Sequence, residues 1–158
     1  MLSKNIYQEN IKIKSTRDAV SDALLELGKT NKDVVVLSAD LAESTRVHKF
    51  AKQFPKRFFE LGVAEQNMAG VAAGLALSGK TAFAASFGVF SPGRNWDQIR
   101  VSICYSQANV KLISTHTGIT VGADGASHQA LEDIAITRCL PNMTVLAPGD
   151  FIEAKKTI

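Results

Sequence analysis

Val34-Val35-Val36-Leu37 places four branched or aliphatic side chains in one short run. A strand made from such a run is apolar on both faces, so it must lie in a sheet that is covered on both sides. Similar runs occur at Thr81 to Ser86, Val110 to Thr115 and Met143 to Ala147, with a shorter one near Phe58 to Leu61. Between them, helical spacing covers roughly Ser44 to Phe54, Glu65 to Leu77, Asn95 to Ser106 and Gln129 to Arg138. An amphipathic helix over Ser15 to Leu27 comes first, with Gly28 as its expected stop, and Asp150 is a good N-cap for a last helix in which the chain ends. This spacing leaves no room for hairpins. It predicts a doubly wound α/β domain with a mainly parallel sheet flanked by helices. Such sheets bind ligands beyond the carboxyl ends of their strands, which directs attention to Ser38 to Ser44, Gly62 to Gln66, Ser86 to Arg94, His116 to His128 and Pro148 to Asp150.

Length and charge narrow the partners. The 158 residues, 46% hydrophobic and 21% charged, suit one globular domain. Residues 1–14 read as an irregular leader and 15–158 as the domain. The net charge of +3 comes from scattered residues rather than a basic run, so neither nucleic acid nor an anionic membrane is indicated as a partner. The apolar stretch Val63 to Leu77 is broken by Glu65, Gln66 and Asn67 and falls short of the ~20 residues that span a bilayer. The leader lacks the apolar centre of a signal peptide, so a cytoplasmic location is expected. Cys104 and Cys139 sit in apolar-patterned segments without ligands at metal spacing, and both are expected to be buried free thiols.

Three places carry candidate chemistry. Glu65 follows a strand and opens an apolar helix whose Gly70 and Gly74 would let another backbone approach closely. An ordinary charge favoured by the helix dipole is the competing reading, but its small, apolar neighbours would desolvate the carboxylate if buried. His116, Asp124 and His128 share a post-strand loop with Gly118, Gly122 and Gly125. Each histidine alone would read as structural, whereas two imidazoles and a carboxylate together could bind hydroxyls or phosphate, or move protons near neutral pH. Their spacing does not match a zinc pattern, and no metal site is expected in this chain. Phe87 and Phe90 flank Gly88 at a strand end; they read either as core or as an aromatic face for a flat heterocycle. No phosphate loop or dinucleotide fingerprint is present.

Taken in order, Ser15-Thr16-Arg17, Ser38-Ala39-Asp40-Leu41-Ala42-Glu43-Ser44, Gly62-Val63-Ala64-Glu65-Gln66-Asn67-Met68, Ser86-Phe87-Gly88-Val89-Phe90 and the Thr115 to Gln129 loop resemble the pyrimidine-binding domain of transketolase. The likeness spans about residues 15 to 150 and is closest to the split type, whose halves are separate polypeptides. It implies thiamine diphosphate as cofactor and transfer of a two-carbon ketol unit from a ketose phosphate to an aldose phosphate. By that resemblance Glu65 hydrogen-bonds N1' of the aminopyrimidine and favours its imino tautomer, whose nitrogen deprotonates the thiazolium C2. Phe87 and Phe90 pack on the pyrimidine, and a third aromatic is either absent or replaced by Trp96. Asp40 meets the cofactor region across a dimer interface. Arg17, Ser44 and His116 hold the sugar phosphate, and Asp124 and His128 contact substrate hydroxyls, with both histidines counted as catalytic beside Glu65. Val20 departs from the serine that many relatives carry near this arginine.

The resemblance also marks what is missing. There is no Gly-Asp-Gly followed by Asn, the pattern that holds Mg2+ and the diphosphate in the family's other domain. By the resemblance, the diphosphate-binding and C-terminal domains are absent from this chain, and the diphosphate-binding one is expected on an N-terminal transketolase subunit or section. The isolated chain would be inactive, and a homodimer or heterotetramer is implied. Deoxyxylulose phosphate synthase shares the Gly-x-Ala-Glu-Gln and Asp-Gly-x-x-His patterns and is the alternative, ahead of an acetyl-transferring dehydrogenase β subunit. A non-catalytic docking domain of the same fold is the reading from another class.

Overall fold

The computed structural model describes residues 13–158, so the leader lies almost wholly outside the described residues. Helix α1 (Thr16–Thr30) is opened by Ser15, whose hydroxyl accepts from the Arg17 amide at 3.2 Å. Strand β1 (Val34–Ser38), helix α2 (His48–Gln53), strand β2 (Phe58–Glu60), helix α3 (Glu65–Leu77) and strand β3 (Thr81–Phe87) follow. A short α4 (Trp96–Gln98) runs into a π-helical turn over Ile99–Tyr105 before strand β4 (Val110–Thr115). A 3-10 turn at Gly125–His128 and helices α5 (Asp133–Arg138) and α6 (Phe151–Lys156) complete the chain.

The four strands are all parallel, in the order β2-β1-β3-β4. Alternating side chains of β1 go to opposite faces, as the pleat requires. Val34 and Val36 enter a core with Leu24, Val47, Phe50, Phe83 and Ile113 beneath α1 and α2. Val35 and Leu37 enter a second core with Met68, Ala72 and Ala76 of α3. Each fully buried Val, Leu or Phe contributes about 1.5–3 kcal/mol, which is why the central strand needs both layers. The doubly wound arrangement expected from the sequence is therefore present.

Several boundaries differ from the expectation, each for a local reason. Gly28 does not stop α1; it is buried inside it, where an added Cβ would lie 2.7 Å from the rings of both Phe50 and Phe54. The helix expected from Ser44 begins only at His48, because Arg46 adopts a φ of 68° and interrupts it. The helix expected from Gln129 begins at Asp133, because Ala130 is drawn into a parallel bridge with Thr117. Met143 to Ala147 forms no strand. Asn142, with a φ of 63°, turns the chain and donates through Nδ2 to the Cys104 carbonyl at 3.2 Å. A cavity of about 1040 Å3 consequently separates that segment from the open edge of β4.

Two further expectations fail on exposure. Gly70 and Gly74 meet nothing within 4 Å and face outward, so no described backbone packs against them. Cys104 is buried, and burial raises its thiol pKa, but Cys139 is exposed; both are free thiols. No helix among the described residues is long and apolar enough to cross a membrane.

Candidate functional site

The carboxyl ends of β3 and β4 and the start of α3 converge on one cluster. Phe87 ends β3, and the tight loop after it carries Phe90, with the two rings 6.0 Å apart and inclined by 8°. Gly88 is buried between β3 and the following loop; an added Cβ would lie 2.6 Å from Thr117 Cγ2 and 3.2 Å from Ala130 Cβ. Its missing side chain lets the histidine-bearing loop close over the rings. His116 then lies 3.8 Å from Phe87, and His128 stands edge-on to Phe90 at 5.4 Å, measured between ring centroids.

His116 has an assignable tautomer. Arg17 Nη1 lies 3.2 Å from Nε2, and a guanidinium can only donate, so Nε2 accepts. Nδ1 therefore carries the proton and donates to Thr115 Oγ1 at 2.8 Å. Burial, followed by the neighbouring Arg17 charge, lowers the His116 pKa, which agrees with a neutral ring. Arg17 Nη1 also donates to the Ser44 carbonyl at 2.9 Å, so it is the backbone of Ser44 that meets the arginine. Val20, the departure noted beside this arginine, packs against the first core.

Glu65 opens α3 and is only 2% exposed. Its Oε2 accepts from Arg94 Nη1 at 2.9 Å, and its backbone carbonyl accepts from Asn95 Nδ2 at 3.1 Å. Oε1 is buried without a hydrogen-bond partner among the described residues. Arg94 also lies over the Phe90 ring, 4.1 Å from its centroid. The carboxylate thus joins the aromatic pair through a guanidinium, and one of its oxygens has no partner among the described residues. An unpartnered buried carboxylate oxygen costs about 1–3 kcal/mol or more, so a donor entering here is favoured.

The sequence-predicted residues do not all meet. Arg17, the Ser44 carbonyl, His116, Phe87, Phe90, His128 and, through Arg94, Glu65 form one connected group. Asp124 is exposed but close enough to His116 to raise its pKa against the stronger lowering effects. Asp40 stands apart: it is exposed after β1 with a φ of 61°, and its amide donates to Glu60 Oε1 at 2.6 Å. Trp96 is not a third ring of the cluster. Its indole donates to the Ile136 carbonyl at 2.6 Å, and its ring packs on the core between α3 and the π-helical turn. Arg94 and Asn95 were missed as site residues. The available signal was an arginine four residues beyond Phe90 in a post-strand loop. No group of three or more potential metal ligands exists among the described residues.

Fold and cluster together define a parallel α/β domain that gathers a buried carboxylate, an aromatic pair and two imidazoles at its strand ends. Comparison with known proteins gives the family. The sequence profile of "Transketolase, pyrimidine binding domain" matches residues 12–158, and the chain belongs to that family. It is 55% identical over 145 residues to a protein of Methanocaldococcus jannaschii named as a transketolase C-terminal section, covering 92% of this chain and 46% of that protein. It is 39% identical over 142 residues to one of the subunits of the apulose-4-phosphate transketolase of Phocaeicola vulgatus, covering 90% of this chain and 46% of that relative. Among solved structures, a split gene transketolase described as an inactive beta4 tetramer superposes with a TM-score of 0.79 at 51% identity, over 91% of this chain and 46% of that one. The chain spans just under half the length of these relatives.

Proposed function

We propose that this chain is the pyrimidine-binding part of a thiamine diphosphate-dependent transketolase, transferring a two-carbon ketol unit from a ketose phosphate to an aldose phosphate. The observation that carries the reading is Glu65: a carboxylate 2% exposed, with a buried oxygen that has no partner among the described residues, beside an aromatic pair. That donor set fits an aminopyrimidine, which offers a flat face to Phe87 and Phe90 and a ring nitrogen to Glu65. When bound, thiamine diphosphate supplies a nucleophilic carbon able to carry the two-carbon unit.

This chain's residues have separable tasks. Glu65 Oε1 would accept from the ring nitrogen once that nitrogen is protonated, and so would favour the imino tautomer; Phe87 and Phe90 would shield the contact from water. Arg17 keeps N–H groups beyond those directed at Ser44 and His116, and its planar fork suits a substrate phosphate. His116, held neutral and oriented by Thr115, can exchange a proton near neutral pH, while His128 and Asp124 bind substrate hydroxyls. Asp40 lies outside the cluster and acts across an interface with another subunit.

Mg2+ and the diphosphate belong to an N-terminal transketolase subunit, and a cytoplasmic homodimer or heterotetramer is the working assembly. The test is to mix the chain with that N-terminal section, thiamine diphosphate and Mg2+ and to follow ketol transfer between sugar phosphates. Turnover is expected only in the mixture, and Glu65→Gln should abolish it without preventing assembly. Transfer from pyruvate instead of a ketose phosphate would refute the substrate assignment. Assembly without any turnover would leave a docking role.

A further inference from the structure

Arg94 is placed with care by its surroundings. Its amide donates to the Phe90 carbonyl at 2.8 Å, closing a tight turn. Gly93 is required in that turn, since an added Cβ would lie 2.0 Å from the Val89 oxygen. Next in sequence, Asn95 is fully buried and ties the turn to α3 through the Glu65 carbonyl. The side chain of Arg94 then lies along the Phe90 face, 4.1 Å from guanidinium carbon to ring centroid, and ends on Glu65 Oε2 at 2.9 Å.

A glutamate's last torsion is broad, so burial alone does not set the plane of its carboxylate. The charge-assisted bond to Arg94 does set it, and it leaves Oε1 as the carboxylate oxygen without a partner among the described residues. We infer that Arg94 is a positioning residue: by holding Oε2 it aims Oε1 at the ring nitrogen of the bound heterocycle. This rests on the proposed thiamine diphosphate site and adds to it the residue that orients the carboxylate. Arg94 need not touch the cofactor to act, and Phe90, which its guanidinium covers, links the orientation of the carboxylate to the aromatic surface.

The test is a comparison of two ligands on the chain reconstituted with its N-terminal section and Mg2+. Binding of thiamine diphosphate and of its analogue with carbon in place of N1' is measured by calorimetry. A hydrogen bond to a charged group corresponds to a preference of about 10- to 100-fold for thiamine diphosphate in the parent protein. Arg94→Met keeps much of the stem over Phe90 but has no donor, and should cut that preference to a few-fold; Arg94→Lys should restore part of it. A structural role would weaken both ligands equally and leave their ratio unchanged, which would overturn the inference. Tighter binding of thiamine diphosphate to Arg94→Met would also overturn it, by showing that the guanidinium competes with the ring for Glu65. Glu65→Ala separates the two levels. If it abolishes the preference while Arg94→Met does not, only the role of Arg94 fails. If the parent protein does not bind thiamine diphosphate, the cofactor reading fails and this inference with it.

Discussion

Gly88→Ala tests whether the aromatic pair and the histidine loop are held together by close packing. The new methyl would sit 2.6 Å from Thr117 Cγ2 and 3.2 Å from Ala130 Cβ, whereas carbon atoms prefer about 3.5–4.0 Å. The loop must therefore back away by about 1 Å. Thr117 is exposed and can move, but Ala130 is 1% exposed and cannot yield freely. The two are also joined by the bridge and by the Gly118 amide donating to the Ala130 carbonyl at 2.8 Å, so a shift of one displaces the other. Overpacking of this kind costs about 1–3 kcal/mol. With a urea slope near 2 kcal/mol per M, the midpoint of chemical denaturation should fall by about 1 M. His116 and His128 lie on the displaced segment, and a misplacement of about 1 Å can slow a reaction by about 100-fold. Thr117→Ser removes Cγ2, the nearest obstacle, so the double variant Gly88→Ala/Thr117→Ser should regain at least half of the lost stability. An unchanged midpoint for the single variant, or no recovery in the double, would refute the reasoning.

The remaining predictions concern charge. His116 has a folded-state pKa below the ordinary histidine value of 6.5, so the unfolded chain binds the extra proton first. Its contribution to stability is complete above about pH 6.5 and is lost as pH falls toward the depressed folded value; denaturation midpoints across that window should show less dependence on pH in His116→Gln. Arg57 donates to the carbonyls of Gly28, Asn31 and Val34 at 2.6, 2.9 and 3.4 Å and stacks 4.2 Å from the Phe54 centroid. Arg57→Met leaves the end of α1 without these donors and should lower stability by about 2–3 kcal/mol, or about 5–10 °C in a thermal scan.

The parts of the fold that were legible are those where local pattern and tertiary demand agree. Val34 to Leu37 reads as a strand buried on both faces because every one of its residues enters one of two cores. Glu65 to Leu77 forms a helix over the expected range, and Thr81 and Val110 begin strands where expected. Met143 to Ala147 shows the limit of such a pattern. An apolar run reports capacity for pairing, but pairing also needs a neighbour within reach, and the turn at Asn142 carries this segment away from β4. Gly28 misled because a glycine that makes room for two phenylalanine rings has the same letter as one that ends a helix. In the site, Phe87, Phe90, His116 and His128 were legible as neighbours because each lies at the end of a strand or in the loop after one. Arg94 was not, since its meaning lies in a partner 29 residues earlier in the chain.

The Arg17 to His116 hydrogen bond joins residues 99 apart in the sequence. A parallel sheet allows no shortcut between them, because each strand waits for a crossover before it meets its neighbour. During synthesis, then, Arg17 can meet the Ser44 carbonyl early, but its bond to His116 must wait until the fourth strand has emerged and docked. The carboxylate, the aromatic pair and Arg94 all come from residues 65–94, whereas the arginine–imidazole side of the cluster needs α1 and β4 together. The cluster is therefore completed last where the two ends of a long chain segment meet.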